Sequence, residues 1–243
     1  MLQVRNVRIG EGKPKICVPI RTINEAEYIA YELGNSVDLA EFRIDYLKEV
    51  HDEEQLSSVL DKVHQKLGDI PLLCTLRTAN EGGEMNVNDE EYERILNWCI
   101  DSQKIDILDV EIFRNEKMFR RVCDRAHQND ISVLASNHDF AKTPEKQEMV
   151  SRLMHMERNG ADIAKIAVMP QHREDVLELL SATSIAKTCI NIPVVTISMG
   201  KLGMVSRVAG EVFGSCITFG VGKKASAPGQ IDAEKLKEIL DIL

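Results

Sequence analysis

The amino-acid sequence predicts a single-domain α/β fold, a (β/α)8 (TIM) barrel spanning residues 1–243. Three observations predict it. Eight short β-rich runs alternate with amphipathic stretches, the pattern of parallel βαβ units. No G-x-G-x-x-G follows the first run, where a doubly wound dinucleotide fold would carry it. The polar residues that interrupt the apolar runs fall at or just past the ends of several different runs, as expected when a site is built on the C-terminal face of a barrel.

The strand candidates are Lys15–Ile20, Val37–Asp45, Pro71–Arg77, Ile105–Ile112, Ile131–Asn137, Asp162–Met169, Pro193–Met199 and Cys216–Gly220. Between them, Ile23–Leu33 reads as a helix stopped by Gly34. A helix opens at Asn88 with Glu91 as its capping-box partner, and Tyr92, Ile95, Leu96 and Cys99 form its apolar face. Another opens at Thr143 with Pro144 in the first helical position; Met149, Leu153 and Met156 form its stripe, and Gly160 ends it. These methionines read as core filler rather than a partner-binding groove.

Composition narrows the function. A net charge of −9 and the lack of a dense basic stripe argue against nucleic-acid binding. No apolar run is long enough to span a bilayer, and the first ten residues, MLQVRNVRIG, are too polar for a signal peptide, so a cytoplasmic protein is expected. The six cysteines form no C-x-x-C pair and none lies at zinc-ligand spacing from a histidine; reduced, buried thiols are expected and a structural metal is not.

The second strand contains EFRID. Period two puts Glu41, Arg43 and Asp45 on one face and Phe42 and Ile44 on the other. On an edge strand the charged face would simply meet solvent. In a closed barrel it points inward, where such a cluster must be mutually paired. The third strand runs into LRTANEGGE, with Arg77 at its tip and Glu81 in a glycine-rich loop. Arg77 reads either as a surface arginine or as a ligand for an anion or hydroxyl. The fifth strand leads to SNHDF. His138 follows its apolar part, whereas His51, His64, His127, His155 and His172 fall in helical or helix-start segments, so His138 is the candidate proton carrier.

The sixth strand, DIAKIAVM, carries Lys165 in an apolar run where either face demands burial. A structural lysine paired with a carboxylate is one reading. The other is a reactive amine: burial and nearby arginines would draw its ordinary value of about 10.4 toward roughly 7–8. A neutral amine in a dry pocket attacks carbonyls, and the protonated imine then acidifies the adjacent carbon. In the last third, Gly200–Lys201 is not a phosphate loop, because no Ser or Thr follows the lysine. Arg207 lies near a short helix after strand seven. Residues 223–230, with Ser226, Pro228 and Gly229, read as a lid or a plain connection.

In this order, EFRID, LRTANEGGE, SNHDF, IAKIAVMP, SMGKLGMVSRVAGEVFGS and TFG…ASAPGQ resemble the type I 3-dehydroquinate dehydratase family over nearly the whole chain. The resemblance implies a commonly dimeric barrel that dehydrates 3-dehydroquinate through a lysine Schiff base, with no metal or organic cofactor. It implies Lys165 as the imine lysine, His138 as the general acid/base and Glu81 as its associated glutamate. It implies substrate contacts from Glu41, Arg43, Arg77, Arg207, Ser226 and Gln230, with Arg207 on the carboxylate, and apolar walls from Met199 and Phe219. Pro19 departs from the serine of some members, so the resemblance does not carry that one substrate contact to this chain. Two other readings share parts of this set. A Schiff-base aldolase on the same barrel would keep Lys165 but need a phosphate site, and none is evident. A non-catalytic dehydroquinate sensor would not need both Lys165 and His138.

Overall fold

The computed structural model describes residues 1–222 and 229–243. Its strands are β1 (Leu2–Val4), β2 (Val7–Ile9), β3 (Lys15–Ile20), β4 (Leu39–Arg43), β5 (Leu72–Thr75), β6 (Ile107–Glu111), β7 (Ser132–Asp139), β8 (Ile163–Val168), β9 (Val194–Ser198), β10 (Ile217–Val221) and β11 (Ile231–Asp232). Its helices are α1 (Ile23–Tyr31), α2 (Glu53–Leu67), α3 (Asp89–Asp101), α4 (Glu116–Gln128), α5 (Lys146–Arg158), α6 (Arg173–Cys189), α7 (Val205–Val208), α8 (Gly210–Phe213) and α9 (Ala233–Ile242). All eight expected strands form, each within a few residues of its predicted ends.

The main sheet is parallel, in the order β11-β10-β3-β4-β5-β6-β7-β8-β9. It curls until its ends meet. The Cys216 N–H donates to the Val194 carbonyl at 2.9 Å, and a bridge pairs Val194 with Ser215, so β9 and β10 close the ring. Alternation along each strand then sorts side chains into two layers. Outward residues such as Phe42, Ile44, Cys74, Val110 and Ile166 pack against the helices. Inward residues such as Cys17, Leu39, Leu73, Ile107, Leu134, Ile163, Val195 and Ile217 fill the barrel.

The β1–β2 hairpin adds Val4 and Ile9 to this inner cluster. Arg5 in its turn donates to Asp106, just before β6, at 2.6 Å and to the Gly68 carbonyl at 2.7 Å. The hairpin therefore plugs the end at which the strands begin, and the other end is left to hold a site.

Local chemistry explains most helix ends, and corrects three expectations. Asn88 accepts from the Glu91 N–H at 2.8 Å, but the Glu91 carboxylate bonds His51 at 2.9 Å instead of completing a capping box. Helix α5 starts at Lys146, two positions beyond Pro144, because the chain stays extended through Glu145 (φ −58°, ψ 148°). Its stripe of Met149, Leu153 and Met156 is buried as expected, and Gly160 (φ 97°) takes the left-handed stop. Helix α1 ends at Tyr31, and Gly34 opens a tight 3-10 turn, Gly34–Ser36, rather than a left-handed cap. Among the cysteines, Cys189 is exposed and the other five are buried, none in a disulfide.

Candidate active site

Above the apolar filling, the inward positions of β4 to β8 turn polar. Glu41 and Arg43 follow Leu39 on β4; Asp109 and Glu111 follow Ile107 on β6; Ser136 and His138 follow Leu134 on β7; Lys165 follows Ile163 on β8. Each series is a two-residue step along one strand, so the switch from core to site is written into the strand period. Glu41, Arg43, Arg77, Glu81, His138 and Lys165 line one pocket. Met199, Arg207, Phe219 and Gln230 line it from the β9 and β10 side. Ser226 lies outside the described residues.

Lys165 is 3% exposed. Its Nζ lies 4.4 Å over the centre of the Phe219 ring, 4.0 Å from Glu41 Oε1 and 3.9 Å from Asp109 Oδ2. The aromatic face and two carboxylates form a cage around this nitrogen. The lysine therefore has the carboxylate neighbours of the structural reading inside the pocket that the reactive reading requires.

Those carboxylates are themselves held. The Thr75 hydroxyl donates to Glu41 Oε1 at 3.0 Å. Asp109 Oδ1 accepts from the Ser136 hydroxyl and Oδ2 from Arg77 Nη2, both at 2.6 Å. Arg77 Nη1 donates to Glu111 at 3.1 Å and to Ser136 Oγ at 2.9 Å, and lies 3.6 Å from Glu81. Burial alone would push this guanidinium down, but Asp109, Glu111 and Glu81 outweigh it and hold it well above its ordinary value. Arg77 is thus the hub of a buried network, not a surface arginine. Gly83 passes beneath it: an added Cβ would stand 2.1 Å from the Arg77 carbonyl oxygen, so only glycine fits. Arg43 forms the expected pair inside EFRID, bonding Asp45 through Nε at 2.8 Å and Nη2 at 2.7 Å.

His138 meets Glu81. Its Nδ1 lies 2.9 Å from Glu81 Oε2, and its backbone N–H donates to the same oxygen at 3.0 Å. Asn137 Nδ2 donates to the other oxygen, Oε1, at 3.2 Å. Burial pushes the His138 imidazolium well below the ordinary histidine value, and Arg77, Lys165 and Arg43 add to the push. Burial raises the Glu81 carboxyl to about 8, against the pull of Arg77. The nearby His138 ring is stacked at 6.4 Å with Phe140, which also borders the pocket.

Arg207, in α7, is 2% exposed and donates to the Phe219 carbonyl at 3.3 Å. Burial lowers it to about 10, so it is charged at neutral pH. The Thr218 hydroxyl donates to the Arg207 carbonyl at 2.8 Å, tying α7 to β10. Pro19 is buried in β3, in register with Glu41.

Sequence reading missed Thr75, Asp109, Glu111, Ser136 and Asn137. Asp109 and Glu111 were legible by the same test that singled out Lys165: charged residues at period two in an apolar run. Among the described residues no cluster of histidine, cysteine and carboxylate ligands is arranged for a metal ion. No described helix is long and apolar enough to cross a membrane.

A family model described as type I 3-dehydroquinase matches residues 16–243. The chain is 46% identical to a 3-dehydroquinate dehydratase of Listeria monocytogenes serotype 4a over 243 residues, 99% of this chain and 96% of that protein. It is also similar to the crystal structure of a type I 3-dehydroquinate dehydratase from Clostridium difficile (TM-score 0.95, 41% identity, covering 99% of this chain and 96% of that one). A third relative is the 3-dehydroquinate dehydratase structure from Enterococcus faecalis (TM-score 0.92, 40% identity, covering 100% and 99%).

Proposed function

The chain belongs to the type I 3-dehydroquinase family, and on that premise we propose how its own residues divide the dehydration of 3-dehydroquinate. The reaction is a hydro-lyase step of the shikimate pathway, on the route to aromatic amino acids. The observation that carries the proposal is a buried amine, Lys165, sharing one pocket with a part-buried imidazole, His138.

Lys165 Nζ attacks the ring ketone, and loss of water leaves a protonated imine. Glu41 and Asp109, at 4.0 and 3.9 Å, are the nearest acceptors for the ammonium proton that must leave first. His138 takes a proton from the carbon beside the imine, and the electrons flow into the imine nitrogen to give an enamine. The enamine expels the β-hydroxyl. His138, now protonated, returns its proton to that leaving oxygen, which suits a syn elimination. Water then hydrolyses the imine, releasing 3-dehydroshikimate and the free amine.

The Glu81 bond to Nδ1 orients the ring, so that Nε2 faces the substrate. The positive charge of the imine stays over Phe219 and beside two carboxylates, so its electrostatic stabilisation is built before substrate arrives. Arg207 binds the substrate carboxylate. Glu41, Arg43, Arg77, Gln230 and Ser226 contact its ring and hydroxyls, with Met199 and Phe219 as apolar walls. The chain works as one barrel domain spanning residues 1–243, as a homodimer in the cytoplasm. Turnover of 3-dehydroquinate, followed as enone absorbance, tests the reading; an inert, correctly folded protein would overturn it.

A further inference from the structure

Asn137 belongs to the SNHDF motif, yet the proposed chemistry gives it no part. Its surroundings do. Arg152, on the outer helix α5, donates from Nη1 to Asn137 Oδ1 at 2.8 Å. Arg152 is in turn held by Glu148 one helical turn away and lies 5.9 Å from the centre of the Phe113 ring. Asn137 Nδ2 then donates to Glu81 Oε1 at 3.2 Å, and Glu81 Oε2 accepts from the His138 backbone N–H at 3.0 Å and lies 2.9 Å from Nδ1. The four residues form one directed chain from helix surface to imidazole.

The direction follows from the donor inventory. A guanidinium has only donors, so the Asn137 oxygen must face it and the Asn137 NH₂ must face Glu81. The flipped amide would set two donors against each other at Arg152 and two acceptors against each other at Glu81. Among the described residues, Arg152 is the helix-side group bonded to the Asn137 amide, so it selects the amide orientation from that side.

We propose that Arg152 is a positioning residue for the proton transfer: it locks the Asn137 amide, which holds Glu81 as the acceptor of the His138 Nδ1–H. This inference rests on the function proposed above. The groups facing Glu81 are Arg77 at 3.6 Å, His138 and Asn137, with Glu111 and Asp109 as repelling neighbours. Burial already favours the protonated carboxyl, and the Asn137 bond opposes it. A flipped Asn137 would reward protonation instead, and a protonated Glu81 is free to donate to Nδ1, placing the imidazole proton on Nε2, where it blocks the base.

The test uses the intact enzyme with Arg152→Met, which keeps the apolar stem, and Arg152→Lys, which keeps a donor. For Arg152→Met we expect kcat lower by about tenfold at neutral pH with KM changed by less than about twofold, the loss of one charge-assisted hydrogen bond. The acid limb of its kcat profile moves to higher pH, so that the deficit shrinks in alkaline solution. Arg152→Lys recovers most of the loss. Borohydride with 3-dehydroquinate labels Lys165 in both variants as in the wild type. A wild-type acid limb in Arg152→Met overturns the proposal, whether or not the rate falls. Failure of borohydride to label the wild type would instead strike the imine mechanism beneath it.

Discussion

Nδ1 of His138 lies 2.9 Å from Oε2 of Glu81, and both side chains are nearly shut off from solvent. The contact commits one imidazole nitrogen to the wall and leaves the other for the substrate. It also couples two groups whose burial disfavours charge on either, so the pair is poised to hold or release one proton near neutral pH.

Replacing the imidazole separates the two halves of the mechanism. His138→Ala should retain imine formation at Lys165, because the amine and its carboxylates are untouched. Turnover should fall by at least the roughly 10²–10⁴-fold typical of acid–base groups. Steady-state rates and borohydride trapping on the same preparation check both; near-normal turnover would remove His138 from its role.

The pH profile should report the His138–Glu81 pair. The base form needs the pair without its extra proton, and Glu81 is raised to about 8. kcat/KM should therefore rise with pH along an acid limb whose midpoint lies near that value. A limb at the ordinary glutamate value of 4.5 would show that burial does not govern the pair.

The same shift should appear in stability. Glu81 binds a proton more tightly folded than unfolded. Its contribution is full below the ordinary value of 4.5 and is lost as pH rises through about 8. The stability of the wild type relative to Glu81→Gln should fall by on the order of 5 kcal/mol from about pH 4 to about pH 9. Denaturant unfolding at several pH values measures it; a pH-independent difference would contradict the shift.

Arg77 pairs with three buried carboxyl groups, Glu81, Asp109 and Glu111. Arg77→Met should leave Glu111 without its cation and Asp109 with only Lys165 Nζ at 3.9 Å, and destabilise the fold by about 3–5 kcal/mol, lowering Tm by at least roughly 6 °C. A thermal scan decides. An unchanged Tm would mean that the network holds the site in place without holding up the barrel.

Arg207 is the charged wall on the side opposite this network. Arg207→Met should lower kcat/KM for 3-dehydroquinate by about 10–100-fold, the value of a buried charge-assisted contact to a carboxylate. An unaltered kcat/KM would place the substrate carboxylate elsewhere.

The barrel was legible because its signals are local. DIAKIAVM and EFRID each show their own period, and turn residues mark where the runs end. Eight such units leave few topologies. The inward face of EFRID followed from the closed ring, and the Arg43–Asp45 pair lies two residues apart, within reach of sequence reasoning. Arg77 shows where that reasoning stops. Its partners Asp109, Glu111 and Ser136 come from other strands, 32 to 59 positions away, and only closure of the barrel brings them together. Read alone, Arg77 is any arginine at a strand end. Lys165 shows the same limit: periodicity established its burial, while the identity of the carboxylates beside it was invisible until closure turned the inward faces of β4, β6 and β8 toward one interior.

Reduction with borohydride in the presence of 3-dehydroquinate tests the central claim, that Lys165 carries the reaction as an imine. The expected result is loss of activity together with a substrate-derived mass on the peptide containing Lys165, and no such adduct in Lys165→Met. A protein that stays fully active and unlabelled under the same treatment would contradict the account.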